Sequence, residues 1–199
     1  MIDEIVLATG NKGKIKEFEG LLRGVAGKIT GLGDLESPPE IVEDGDTFME
    51  NALKKARALA KYSGKPALAD DSGLAVDALG GKPGVYSARY AGEGATDEKN
   101  IDKLLGELGD TENRNARFVC FLALVTPDGK ETVVSGKCKG IILTERRGSG
   151  GFGYDPVFYL PEFGKTMAEI PSGLKNEISH RARAVEKLVR ILKEESSGV

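Results

Sequence analysis

The sequence predicts an α/β protein with a mixed central sheet flanked by helices, and three observations carry that expectation. An apolar strand at the start runs through a polar loop into an amphipathic helix, and helical and strand-like segments then alternate along the chain. Two long apolar runs flank a Pro-Asp-Gly turn, which joins them as an antiparallel hairpin and excludes a purely parallel sheet.

The elements follow in order. "EIVLAT" is a strand leading into "GNKGK", after which Ile15, Phe18, Leu21 and Leu22 recur at helical spacing up to a stop at Gly24. Thr47 and Glu50 form a Thr-x-x-Glu capping box, followed on one face by Ala52, Leu53, Ala56 and Ala60 in a helix running to about Tyr62. Residues 66–70 form a short strand, after which the glycines and Pro83 of "GLAVDALGGKPGVYSARYAG" argue against a long regular element. "TDEKNIDKLLGEL" places Ile101, Leu104, Leu105 and Leu108 on one stripe, with Gly109 as terminator. "ARFVCFLALV" and "ETVVSGKCKGIIL" are the hairpin strands around "TPDGK". The Gly-rich loop "RRGSGGFGYDPVF" follows, and a helix from about Ser179 to Glu194 ends the chain.

At 199 residues, 40% hydrophobic and 30% charged, the composition is that of a soluble globular chain able to bury a sizeable core. A formal net charge of −3 lacks the Lys/Arg excess expected of a protein that grips a nucleic acid polymer by its phosphates. No membrane association is indicated. Cys120 and Cys138 lack metal-ligand spacing and read as small core hydrophobes. The opening "MIDEIVLATG" is too acidic and too briefly apolar for a secretory signal, so a cytoplasmic location is expected.

Chemistry-bearing residues fall in separated segments. The loop "TGNKGK" lies between strand and helix, where backbone N–H groups and the helix dipole favour an anion and Lys12 and Lys14 add charge; an ordinary β–α turn is the alternative. In "FMENALKKA", Asn51, Lys54 and Lys55 are three and four residues apart, so Asn51 and one lysine can share a face. In "ALADDSGL", Asp70 and Asp71 diverge if the strand persists, which calls for compensation of the inward charge. Paired carboxylates at a strand end suit a hard cation such as Mg²⁺, with Glu43 as a further ligand, while capping of the "DDSG" turn is the competing role. The sole histidine, His180, stands beside Arg181 in "ISHRAR".

Jointly, "LATGNKGK", "TFMENALKKA", "LADDSGLAVDALGGKPGVYSARYAG", "GGFGYDPVF" and Lys175 with "ISHRARA" resemble the Ham1/RdgB-like inosine triphosphate pyrophosphatases, in order and spacing, across nearly the whole chain. The resemblance implies one elongated, two-lobed domain over residues 1–199, with a nucleotide cleft between lobes, and a homodimer. It also implies Mg²⁺-dependent hydrolysis of ITP, dITP and XTP to the monophosphate and pyrophosphate, which cleanses the nucleotide pool. By the same resemblance Thr9, Gly10, Asn11, Lys12, Gly13 and Lys14 hold the triphosphate, and Lys54 matches the lysine of the ENAxxKA helix and contacts phosphate. Asp71 matches the base and metal ligand, with Asp70 and Glu43 as further metal ligands and Ser72 touching substrate. Phe152, Gly153, Tyr154, Asp155, Lys175, His180 and Arg181 match the nucleoside-binding set. On the residues alone, a regulatory module that binds a purine nucleotide without hydrolysing it is the other reading, and a pure polyanion binder gains little from crowded acids unless metal is used.

Overall fold

The fold is built on a seven-stranded sheet in the order β2-β1-β3-β4-β5-β6-β7. A computed structural model describes residues 2–196 of the chain. Strand β1 (Ile2–Leu7) lies parallel to β2 (Ala26–Thr30) on one side and to β3 (Ala67–Val76) on the other. Strands β4 (Asn115–Val125) and β5 (Glu131–Ile142) form the expected hairpin, closed by Thr126 N–H to the Lys130 carbonyl at 3.0 Å and opened at its far end by Ile142 N–H to the Arg114 carbonyl at 2.9 Å. Strands β6 (Phe158–Leu160) and β7 (Lys165–Thr166) then add antiparallel pairs, so the sheet is mixed.

Five helices accompany it among the described residues: α1 (Lys12–Leu21), α2 (Phe48–Ser63), α3 (Asp97–Leu108), α4 (Ser172–Ile178) and α5 (His180–Ser196). The capping box of Thr47 and Glu50 starts α2, and Gly64 ends it in the left-handed conformation that only glycine adopts without strain. The single closing helix expected from Ser179 is instead two, because Ser179 is extended and separates α4 from α5.

The chain divides into two compact units. The first comprises the chain up to Asp71, Cys120–Gly136 and the chain from Arg181; the second comprises Ser72–Val119 and Lys137–His180. In the first unit the period-two alternation of the strands sorts residues cleanly. Ile5, Leu7, Leu68, Cys120, Leu122 and Leu124 pack with Phe18 of α1, with Leu22 just after it, and with Ala184, Val185 and Leu188 of α5. Val6, Ala8, Ala67, Ala69, Ala123 and Val125 meet Ala52, Ala56, Leu59 and Ala60 of α2. Alanines on both sides of that second contact let helix and sheet approach closely. The second unit has its own core, in which Ile101, Leu104 and Leu108 of α3 pack with Leu74, Val76, Phe118, Val157 and Phe158. Phe118 and Phe158 lie 4.4 Å apart there, a ring separation that favours tilted packing.

One expectation is corrected. The strand of 66–70 does not end at the two aspartates; β3 runs without a break through Asp70, Asp71, Ser72 and Gly73 to Val76. Gly73 stays outside the left-handed region, and each aspartate has its own cations, so nothing forces the chain to turn.

Candidate active site

Asp70 and Asp71 face opposite sides of β3, and the first unit builds a different environment around each. Asp70 shares the side of Leu68, toward α1 and α5; Asp71 shares the side of Ala67 and Ala69, toward α2.

On the first side, the chain leaves β1 through half-buried Thr9 and exposed Gly10, Asn11 and Lys12. Asn11 caps α1: its side chain accepts from Lys14 N–H at 3.1 Å, and its own N–H donates to Thr9 Oγ1 at 3.1 Å. The first-turn N–H groups of Lys12 and Gly13 have no intrahelical acceptor, so this turn can receive an anion. The Lys14 ammonium bonds Asp70 Oδ1. Asp70 Oδ2 in turn accepts from Arg181 Nη2 at 3.1 Å and Nε at 3.3 Å, with Cys120 Sγ at 3.5 Å. Arg181 is enclosed, and its Nη1 bonds Glu17. Burial opposes its charge, but Asp70 and Glu17 outweigh that and raise its pKa above the ordinary arginine value.

On the second side, Lys55 Nζ lies 3.3 Å from Asp71 Oδ1 and 2.9 Å from Glu43 Oε2. Burial works against the Lys55 charge, yet Asp71 and Glu43 prevail and its pKa is raised. Glu43 is brought in by Asn51, whose side chain accepts from Gly45 N–H at 2.8 Å and donates to the Gly45 carbonyl at 3.4 Å, fastening the acidic loop to α2. A Cβ on residue 45 would lie 2.7 Å from Asn51 Oδ1, which explains glycine there. Asp71 Oδ2 is buried and has no hydrogen-bond partner among the described residues. Burial pushes the Asp71 carboxyl up to about 6; Lys55 opposes the shift, Glu43 adds to it, and Asn51 and Lys14 pull it down.

The donor chemistry here fits a hard cation. A buried carboxylate oxygen without a partner and a second carboxylate on the same lysine suit Mg²⁺, which takes one or two protein carboxylates and leaves its other positions to water and phosphate. Asp70 does not join them: it lies on the other side of β3, committed to Lys14 and Arg181, and among the described residues no three His, Cys, Asp or Glu side chains gather as a metal-holding group.

The structure places Lys54 differently from the sequence expectation. Lys54 is exposed and bonds Asp44, whereas Lys55 is buried against Asp71. The signal was legible: in ENALKKA the lysine directly before the second alanine is Lys55, four residues after Asn51 and on the buried alanine face of α2.

In the second unit the Gly-rich loop makes a separate arrangement. Asp155 Oδ2 accepts from Lys175 Nζ at 2.8 Å and from Phe152 N–H at 3.1 Å, and the Lys175 ammonium sits 4.9 Å from the centre of the Phe152 ring. Gly153 N–H donates to Asp97 at 2.7 Å, and the Tyr154 hydroxyl donates to the Ser87 carbonyl at 2.8 Å. The His180 ring stacks on Phe118 with centroids 4.9 Å apart. Half-buried Ser72 continues β3 directly after Asp71. Arg181, expected with the nucleoside set, pairs with Asp70 and lies in the first unit.

The fold and these side chains define an α/β protein with a helix-start anion loop and a carboxylate–lysine centre suited to polyphosphate chemistry. The chain belongs to the Ham1 family, which it matches over residues 5–191. It is similar to the dITP/XTP pyrophosphatase of Shouchella clausii, 55% identical over 94% of this chain and 95% of the relative, and to that of Desulfotalea psychrophila, 53% identical over 94% and 84%. The Ham1 protein of Staphylococcus aureus superposes with a TM-score of 0.86 at 45% identity, covering 97% of this chain and 100% of that structure.

Proposed function

We propose that this chain hydrolyses non-standard purine nucleoside triphosphates, ITP, dITP and XTP, to the monophosphate and pyrophosphate. The substrate class is supported by relatives of about the same length that are named dITP/XTP pyrophosphatases. The observation that carries the chemistry is the buried, unpartnered Asp71 Oδ2 on a carboxyl poised at about 6.

In this reading the triphosphate is held by the turn from Thr9 to Lys14, with Lys14 offsetting charge on the phosphates that leave as pyrophosphate. Asp71 removes a proton from the water that attacks the α-phosphorus; a carboxyl at about 6 is mostly ionised at pH 7 yet basic enough to accept it. Lys55 holds that carboxylate in place and keeps it ionised. Asp71 and Glu43 are the residues that would hold Mg²⁺, which supplies neutralisation of phosphate oxygens during the displacement. Phe152, Gly153, Tyr154, Asp155, Lys175, His180 and Arg181 serve the nucleoside, with Ser72 also on substrate. The Lys175 ammonium donates to the 6-oxo group of hypoxanthine or xanthine, where adenine presents an amino donor and is mismatched. No described helix is long and apolar enough to cross a membrane. A cytoplasmic homodimer acting as a single domain over 1–199 completes the reading.

Incubation with ITP and Mg²⁺ tests it, with products separated by anion exchange. IMP and pyrophosphate in equal amounts support the reading. Release of inorganic phosphate instead, or no turnover of ITP, dITP and XTP, overturns it.

A further inference from the structure

The Gly-rich loop is clamped at both ends by one residue. Ala168 accepts from Gly150 N–H at 3.1 Å through its carbonyl and donates its own N–H to the Asp155 carbonyl at 3.2 Å. The span between these clamps includes Gly151 and Gly153, both in the left-handed conformation, and glycines leave a backbone many alternative paths. Two bonds close the span on itself: Phe152 N–H to Asp155 Oδ2 at 3.1 Å and Asp155 N–H to the Phe152 carbonyl at 3.3 Å.

Asp97 adds a hold from outside the loop. Gly153 N–H donates to Asp97 Oδ2 at 2.7 Å, the short end of the range for an ionised acceptor. The Phe152 carbonyl and the Gly153 N–H belong to one peptide plane, so Asp155 on one edge and Asp97 on the other fix its orientation. That plane sets how the Phe152 side chain leaves the backbone. The Lys175 ammonium, 4.9 Å from the Phe152 ring and 2.8 Å from Asp155 Oδ2, is adjusted to the same geometry.

Although Asp97 is exposed, it stands on a firm support. It is the first residue of α3, whose Ile101, Leu104 and Leu108 are buried in the core of the second unit. Three residues further along the same face, buried Asn100 accepts from Ala91 N–H at 2.8 Å and donates to the Ala88 carbonyl at 3.1 Å. The neighbouring carbonyl, that of Ser87, receives the Tyr154 hydroxyl at 2.8 Å. Helix α3 therefore reaches residue 153 directly and residue 154 through the 3-10 helix Gly84–Arg89. All of these groups lie in the second unit.

We propose that Asp97 is a positioning residue for the nucleoside: by accepting from Gly153 N–H it sets the Phe152–Gly153 peptide, and with it the ring and the carboxylate that the loop presents to the base. This rests on the reading of the Gly-rich loop as the nucleoside site. Asp97→Ala leaves that N–H to water and should weaken IMP binding about five- to tenfold. Asp97→Asn keeps an acceptor oxygen in the same place, so its loss should stay within about twofold. Glu98→Ala removes an equal charge from the same first turn of α3 and should also stay within about twofold.

Amide NMR of the labelled full chain and the three variants reads the bond and the binding together. Without ligand, the Gly153 amide resonance should move upfield and exchange faster with solvent in Asp97→Ala, and should stay near its wild-type position in Asp97→Asn and Glu98→Ala. Titration with IMP then gives the affinities. An acid that merely supports the start of α3 makes Asp97→Asn as weak as Asp97→Ala and Glu98→Ala as weak as both, and that pattern overturns the proposal. So does an Asp97→Ala chain that binds IMP within about twofold of wild type. If IMP leaves the Phe152–Asp155 amides of the wild-type chain unmoved, the nucleoside reading of the loop falls and the proposal falls with it. If those amides respond equally in wild type and Asp97→Ala, the proposal alone falls. None of these measurements involves turnover.

Discussion

Lys55 holds one oxygen of Asp71 and leaves the other: Lys55 Nζ is 3.3 Å from Asp71 Oδ1, while Oδ2 is buried and unpartnered among the described residues. The two oxygens are therefore in different states, one anchored and one available. Burial raises the Asp71 carboxyl to about 6, which makes it more basic than an exposed carboxylate and costly to keep ionised.

Asp71→Asn should lower turnover of ITP by about 10²–10⁴-fold, the usual contribution of a general base. The same change should stabilise the fold at neutral pH by about 1–3 kcal/mol, because the carboxyl is raised to about 6 and its ionisation opposes folding. The sign is definite. Stability from the protonated group is fully present below the unfolded value near 3.8 and is lost as pH rises through about 6, so the advantage of Asn over Asp appears across that window and vanishes below it. Urea denaturation at pH 3.5 and pH 7.5 reads the difference; an Asn variant less stable than wild type at pH 7.5 contradicts the assignment.

The pH dependence of activity follows from the same carboxyl. In metal-free protein Asp71 should titrate near 6, observable by carboxyl-carbon NMR, and bound Mg²⁺ should move that value down. Below the titration point kcat/KM should fall about tenfold per pH unit as the base is protonated. A kcat/KM profile that stays flat through the pH at which the Mg²⁺-bound carboxyl titrates by NMR removes Asp71 from the role.

The adjacent lysines of α2 should behave unequally. Lys55→Met leaves Asp71 and Glu43 without their shared buried cation, so the Asp71 carboxyl should rise further, the acidic limb of the pH profile should move up, and activity at pH 7 should fall about 10²-fold. Lys54→Met breaks only an exposed pair with Asp44 and should change kcat/KM by less than about threefold. Parallel kinetics of the two variants decide which lysine serves the centre.

How far the sequence reveals this arrangement depends on distance along the chain. The α2 boundaries follow from Thr47, Glu50 and Gly64, because caps act within a turn. The hairpin of β4 and β5 is equally local, set by "TPDGK". The β2 strand leaves little trace, since its five residues, of which only Thr30 is buried, show no clear alternation and owe their conformation to β1. For the site, the divergence of Asp70 and Asp71 is readable from period two, but the cations that satisfy them are not. Arg181 lies 111 residues from Asp70, and only folding shows that its guanidinium serves the carboxylate.

The Gly-rich loop offers the last test, on the nucleoside side. Gly151 adopts φ +75°, and a Cβ there would lie 2.0 Å from Asp155 Oδ2, the oxygen that holds both Lys175 Nζ and Phe152 N–H. Gly151→Ala therefore forces Asp155 aside and breaks its bond with Lys175. Lys175 and Asp155 belong to the second unit and the Asp71–Lys55 pair to the first. The defect should thus appear in KM for ITP and in the preference for ITP over ATP, by about tenfold, with the pH of half-maximal activity unchanged. Steady-state kinetics with both nucleotides across pH 5–8 measure all three quantities. A variant with unaltered ITP preference shows that Asp155 and Lys175 do not read the base, and a shifted pH profile shows that the loop acts on Asp71.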